Sequence, residues 1–202
     1  MNKILVAALA MAGLVSAGAV YADDSGFMVR ARAVSISWDN GNKDGLANAG
    51  VGTVEAKDLW IPEVDISYFF TKNIAAELVL TYPQKVDIKS GGTTIGNVHA
   101  LPPSLLVQYH FTDLGAFKPY VGAGVNYTLF TDRNVVGDIH VDQGSIGLAA
   151  QVGFDYFLTK NIALNFDVKY AQISTDVKLG ATKLGKLDLN PVMAGVGVGY
   201  RF

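Results

Sequence analysis

Apolar and polar or small residues alternate one by one along most of this chain, and the alternation runs through eight separate stretches. A period of two is the mark of a β-strand with one apolar face. The last stretch is the clearest. Val192, Ala194, Val196, Val198, Tyr200 and Phe202 interleave with Met193, Gly195, Gly197, Gly199 and Arg201. An apolar face carried to the final residue fits a strand that meets lipid and closes a barrel. The competing account is a sandwich strand that ends in Phe.

The other seven strands are predicted from the same alternation. The first, about 27–38, sets Phe27, Val29, Ala31 and Ala33 against Arg30 and Arg32. The second, about 58–70, sets Pro62, Val64, Ile66 and Tyr68 against Glu63, Asp65 and Ser67. The third, about 74–88, sets Ala76, Leu78, Leu80 and Tyr82 against Glu77. The fourth, about 95–111, sets Leu105, Val107, Tyr109 and Phe111 against Ser104, Gln108 and His110. The fifth, sixth and seventh span about 118–130, 144–158 and 162–177. Short connections at 71–73, 112–117 and 159–161 alternate with mostly longer ones, rich in Gly, Asp and Asn, at 39–57, 89–94, 131–143 and 178–186. Short turns at one end and longer loops at the other predict an all-β fold, an eight-stranded antiparallel transmembrane β-barrel, with short turns in the periplasm and loops outside. The pattern Tyr68-Phe-Phe-Thr-Lys-Asn-Ile-Ala75 returns as Tyr156-Phe-Leu-Thr-Lys-Asn-Ile-Ala163, which places both turns on one end.

The first residues explain how such a chain reaches that membrane. Met1-Asn2-Lys3, an apolar run from Ile4 to Val20 and an Ala-rich site ending at Ala22 predict a cleaved secretory signal peptide over 1–22, with the barrel over 23–202. Gly13, Ser16 and Gly18 interrupt the run, and no basic stop follows it, so a retained membrane helix fits less well. No other stretch reaches the ~18–20 apolar residues of a spanning helix. The formal net charge of −2 argues against a broad basic surface, so no nucleic-acid partner is expected. With no cysteine, stability in an oxidising compartment rests on packing and hydrogen bonds.

At this point the residues resemble a known family. Leu101-Pro-Pro-Ser-Leu105 leads to Gln108-Tyr-His-Phe111, then to Pro119-Tyr-Val-Gly-Ala-Gly-Val-Asn-Tyr-Thr128. Gly153-Phe-Asp-Tyr156, Asn190-Pro191 and Gly199-Tyr-Arg-Phe202 follow in order. Together they are similar to the OmpW family of small outer-membrane barrels, over nearly the whole of 23–202. One departure is the start Asp23-Asp24-Ser25-Gly26, without the early His of many members. The resemblance implies a bacterial outer-membrane barrel with a narrow hydrophobic channel that takes up small apolar molecules. The aromatic last residue also resembles the signal read by the barrel-assembly machinery.

Strand parity gives a separate view of the lumen. Arg30, Arg32, Glu63, Asp65, Glu77, Gln108, His110, Asp155, Asp167, Lys169 and Arg201 fall on the inward face toward the periplasmic end. Eight strands leave room for side chains or one small ligand, so these groups are expected to form a polar plug rather than line an open pore. Farther out the same parity turns apolar, with Val34, Ile36, Trp38, Leu59, Ile61, Leu106, Phe130 and Met193. That predicts an apolar vestibule for a hydrophobic solute, gaining ~25 cal/mol per Å² of apolar surface removed from water. A bulge after Ala33 would turn Val34, Ile36 and Trp38 outward instead. Prolines lie in or beside strands, and Pro62 sits within one. It marks either a bulge or a lateral gate through which solute leaves into outer-membrane lipid.

Other chemistry finds little support. His99, His110 and His140 have no ligand spacing, so no metal or other cofactor is expected. No nucleophile motif surrounds Ser104 or Ser145, so a hydrolase built on either with His110 is disfavoured, and the protein is expected not to be an enzyme. Gly122-Ala-Gly124 and the glycines of 195–199 lie inside strands and make room in the lumen rather than cradle phosphate. The rival to a solute channel is a structural or adhesive barrel with a filled lumen and partner-binding loops.

Overall fold

A computed structural model describes residues 26–38, 41–43, 58–90, 93–135, 139–141, 144–179 and 182–202. The expected signal peptide lies outside the described residues. The strands are β1 (Phe27–Ser37), β2 (Gly41–Lys43), β3 (Leu59–Phe69), β4 (Ile74–Thr81), β5 (Gln84–Ser90), β6 (Thr93–Leu101), β7 (Ser104–His110) and β8 (Phe117–Val135). They continue with β9 (Ile139–Val141), β10 (Gly144–Phe157), β11 (Ile162–Ala171), β12 (Ser174–Leu179), β13 (Thr182–Asp188) and β14 (Val192–Arg201).

Eight of these form a closed antiparallel ring, in the order β1-β3-β4-β7-β8-β10-β11-β14 and back to β1. The ring closes by a ladder from Met28 opposite Arg201 to Ser37 opposite Val192. The backbone N–H of Phe202 donates to the Phe27 carbonyl at 3.0 Å, so the two ends of the ring meet. Along these eight ladders the ring has none of the free edges that an open sheet would present to lipid.

The short turns show how repeated sequence makes repeated structure. Thr71 Oγ1 accepts from the N–H groups of Asn73 and Ile74 at 3.2 and 3.0 Å. Thr159 Oγ1 does the same for Asn161 and Ile162 at 3.3 and 2.9 Å. Each Asn then ties its turn to a neighbouring strand. Asn73 Nδ2 donates to the His110 carbonyl at 2.7 Å, and Asn161 Nδ2 to the Arg201 carbonyl at 2.6 Å.

The expected strand bounds change mostly at the other end. The third strand breaks at Tyr82-Pro83 into β4 and β5, and the fourth at Pro102-Pro103 into β6 and β7. Proline supplies no ladder donor, which accounts for breaks at these points. The fifth strand runs on to Val135. The stretches 178–186 and 39–57, expected as loops, carry parts of a second sheet in the order β2-β13-β12-β9.

The parity holds around the ring. Leu105, Val107 and Val152 point outward and are more than half exposed, as residues facing lipid would be. Inside, side chains form three layers. Met28, Phe69, Ala75 and Ala163, with Phe157 against them, make an apolar layer at the short-turn end. A polar layer lies above it, and a larger apolar layer above that. The polar groups therefore occupy the middle of the lumen, not its periplasmic end as expected. Met28 shares the inward face of Arg30 and Arg32, and that parity is the signal for the lowest layer.

Candidate functional site

The polar layer is built around two arginines from one strand. Arg30 donates through Nε and Nη2 to the two carboxylate oxygens of Asp155, at 3.0 and 2.7 Å. Its Nη1 reaches Asp65 at 2.9 Å and Ser67 at 2.8 Å. Arg32 Nη2 bonds Asp65, and also Glu77 at 3.0 Å, while its Nε lies 2.9 Å from Glu63. Lys169 Nζ spans Glu63 and Asp167, at 2.7 Å each. Tyr120 donates to Asp167 at 3.0 Å, and Gln151 to Glu77 at 2.7 Å. These charged side chains are at most 4% exposed. A charge in such a place is tolerable only when paired and hydrogen-bonded, which the network provides. At this level the described side chains meet one another as paired charges across the lumen.

The expected plug residues Arg30, Arg32, Glu63, Asp65, Glu77, His110, Asp155, Asp167 and Lys169 are all buried here. Arg201 stands apart at the short-turn end, half-buried, with its guanidinium 4.3 Å over the Phe69 ring. His110 packs between the rings of Phe69 and Tyr120 at 4.8 and 4.9 Å. Ser104 lies six residues before it on the same strand, ~20 Å at strand rise, so the two do not form a catalytic pair. Ser145 Oγ accepts from the Ser174 N–H at 3.1 Å. No group of metal-binding side chains occurs among the described residues.

Glycine in β14 makes room for the arginines. A Cβ on Gly197 would lie 2.1 Å from the Ala31 carbonyl oxygen and 2.7 Å from Arg32 Cγ, so no larger residue fits there.

Above the polar layer the structure brings together Val34, Ile36, Trp38, Ile61, Leu106, Phe130 and Met193 in one cluster, with Leu59 half-buried against it. The β1 register runs without a break from Phe27 to Ser37, so no bulge turns Val34, Ile36 and Trp38 outward. Val79, Ala100, Ala149, Ala171, Ile173 and Leu189 complete the cluster. The first five lie on the inward parity of strands already read, and that is the signal by which they can be found, whereas Leu189 lies between β13 and β14 and has no such signal. Each member is at most 8% exposed, so the cluster is packed on itself rather than open as a cup.

Beside this cluster one ladder stops short among the described residues. The β3–β4 ladder runs from Phe69 opposite Ala75 to Glu63 opposite Thr81, and ends there. Above that rung Leu59–Pro62 pair with β1, and β5 pairs with β6, with no β3–β5 register among the described residues. Pro62 faces outward opposite Ala33 in an unbulged register. Trp60 and Tyr82, 69% and 68% exposed, flank the break on the outer surface.

A profile of the OmpW family matches residues 23–202. The chain is 42% identical to the outer-membrane protein y4mB of Sinorhizobium fredii over 188 residues, covering 88% of this chain and 80% of that one. It is 35% identical to outer membrane protein W of Escherichia coli over 216 residues, covering all of both. The crystal structure of the outer-membrane protein OprG from Pseudomonas aeruginosa superposes with a TM-score of 0.69 at 27% identity, covering 87% of this chain and 95% of that one. With a closed eight-stranded ring, an apolar outer wall and these likenesses, the chain belongs to the OmpW family of bacterial outer-membrane β-barrels.

Proposed function

We propose that this barrel admits small hydrophobic molecules from outside through its upper apolar cluster and releases them sideways into the membrane. The observation that carries the reading is an apolar layer seated on a filled, charged one. An apolar solute that replaces water contacts by contacts with Val34, Ile61 and Leu106 gains ~25 cal/mol per Å² buried. Continuing downward would require it to separate buried ion pairs, which is costly. The break between β3 and β5 beside Pro62 then supplies the exit, with Trp60 and Tyr82 at its outer lip. Because the cluster is packed, entry displaces side chains and does not fill a standing cavity. The role is non-catalytic. Outer-membrane lipid surrounds the barrel, and the carboxy-terminal strand is what the barrel-assembly machinery would engage.

The test is entry of an apolar dye into cells producing the barrel, compared with cells lacking it. Asn at Ile61 and at Leu106 is expected to slow entry while heat-modifiable gel migration still reports a folded barrel. Unchanged entry in both folded variants would favour a structural or adhesive barrel.

A further inference from the structure

Thr81 ends the β3–β4 ladder and stands opposite Glu63, the last rung below the break in the wall. It follows Glu77 and Val79 on the inward face of β4. Glu63 belongs to the polar layer, while Ile61 and Val79 belong to the apolar cluster. The Thr81 side chain therefore lies at the boundary between the two layers and at the lower edge of the opening. Its hydroxyl oxygen is shielded from water and has no hydrogen-bond partner. A shielded hydroxyl without a partner is costly to keep, and a ligand that supplies an acceptor removes that cost.

We infer that Thr81 is a specificity-determining residue, and that the barrel prefers uncharged solutes carrying one hydrogen-bond acceptor, such as a ketone or ester oxygen on an apolar body, over plain hydrocarbons and carboxylates. The inference rests on the uptake reading above. The apolar body replaces contacts in the cluster, and the oxygen accepts a hydrogen bond from the Thr81 hydroxyl at the mouth. A carboxylate meets a different surface. In the layer below, Glu63, Asp65, Glu77, Asp155 and Asp167 outnumber Arg30, Arg32 and Lys169, and all eight are buried. A further negative charge there is repelled, and it also loses its water.

The experiment is protein-dependent uptake of octane, 2-octanone and octanoate by cells producing the barrel, with uptake by cells lacking it subtracted. The ratio of ketone to hydrocarbon uptake is expected to fall about fivefold in Thr81→Val, the effect of one neutral hydrogen bond. Thr81→Ser is expected to keep the ratio. Octanoate is expected to enter far more slowly than the ketone. An unchanged ratio in folded Thr81→Val overturns the inference, as does an equal loss of both solutes or octanoate entry as fast as that of the ketone. Absence of protein-dependent entry for octane and ketone alike in the unaltered barrel would overturn the uptake reading itself.

Discussion

Arg30 and Asp155, 125 residues apart in sequence, face each other inside the barrel as a two-pronged ion pair, with both nitrogen–oxygen contacts at 3.0 Å or less. Asp155 also accepts from Asn165 at 2.9 Å, so one carboxylate joins β1, β10 and β11. Asp155→Ala leaves a buried guanidinium short of one partner and is expected to destabilise the barrel by ~3–5 kcal/mol. Replacing the pair together, Arg30→Met with Asp155→Leu, is expected to cost less than the single change. Denaturant unfolding from lipid vesicles measures both, and a double variant weaker than the single one would contradict this account.

Leu78, Val107 and Val152 lie on the outer face of three different strands. Arg at each is expected to cost ~2–4 kcal/mol if the site is near the bilayer midplane. Arg at Gly195 acts otherwise, since a Cβ there already lies 3.1 Å from Val34 Cγ2 inside the lumen. Small and equal effects at the three outer positions would mean that they do not face hydrocarbon.

Phe202 ends the closing strand. Its ring packs edge-on against Tyr200 at 4.9 Å, and its N–H bonds the Phe27 carbonyl. Deleting it is expected to impair insertion far more than replacing an exposed turn residue such as Lys72. Heat-modifiable migration reports the folded fraction, and normal folding of the deletion would contradict the expectation.

Asn161 ties its turn to the strand that closes the ring. Asn161→Ala is expected to lower stability by ~0.5–1.5 kcal/mol, the range for one hydrogen bond. The same change at Asn73, which bonds Thr112 as well as the His110 carbonyl, is expected to cost at least as much. Unfolding midpoints in vesicles compare the two.

The wall and the lumen were legible because lipid and a packed interior impose opposite demands on neighbouring residues. Every second residue of β3 is apolar and outward, from Pro62 to Tyr68, while Glu63 and Asp65 turn in. The second sheet was mostly not legible, since only the start of β12 fell within an expected strand, the one over 162–177. β2 and β9 are three residues each, too short for a period of two to stand out, so Gly41–Lys43 and Ile139–Val141 fell in expected loops. The break beside Pro62 was half legible. Pro62 and Pro83 showed where donors are missing, but which strands part there depends on register, and register is set by pairing around the whole ring. The unpartnered hydroxyl of Thr81 has no sequence signal apart from its parity.

The glycines of β14 bear on how the ring can close. The ion pairs and hydrogen bonds of the polar layer described above join β1, β3, β4, β8, β10 and β11. Facing Arg30 and Arg32, the last strand contributes Gly199 and Gly197. The charges can therefore find one another in a curled sheet that is still open at its seam. The last strand passes the arginines with glycine and holds backbone hydrogen bonds along both of its edges. Ring closure at those rungs therefore asks for no ion pair from the closing strand, because the residues that pass the arginines have no side chain to collide with them.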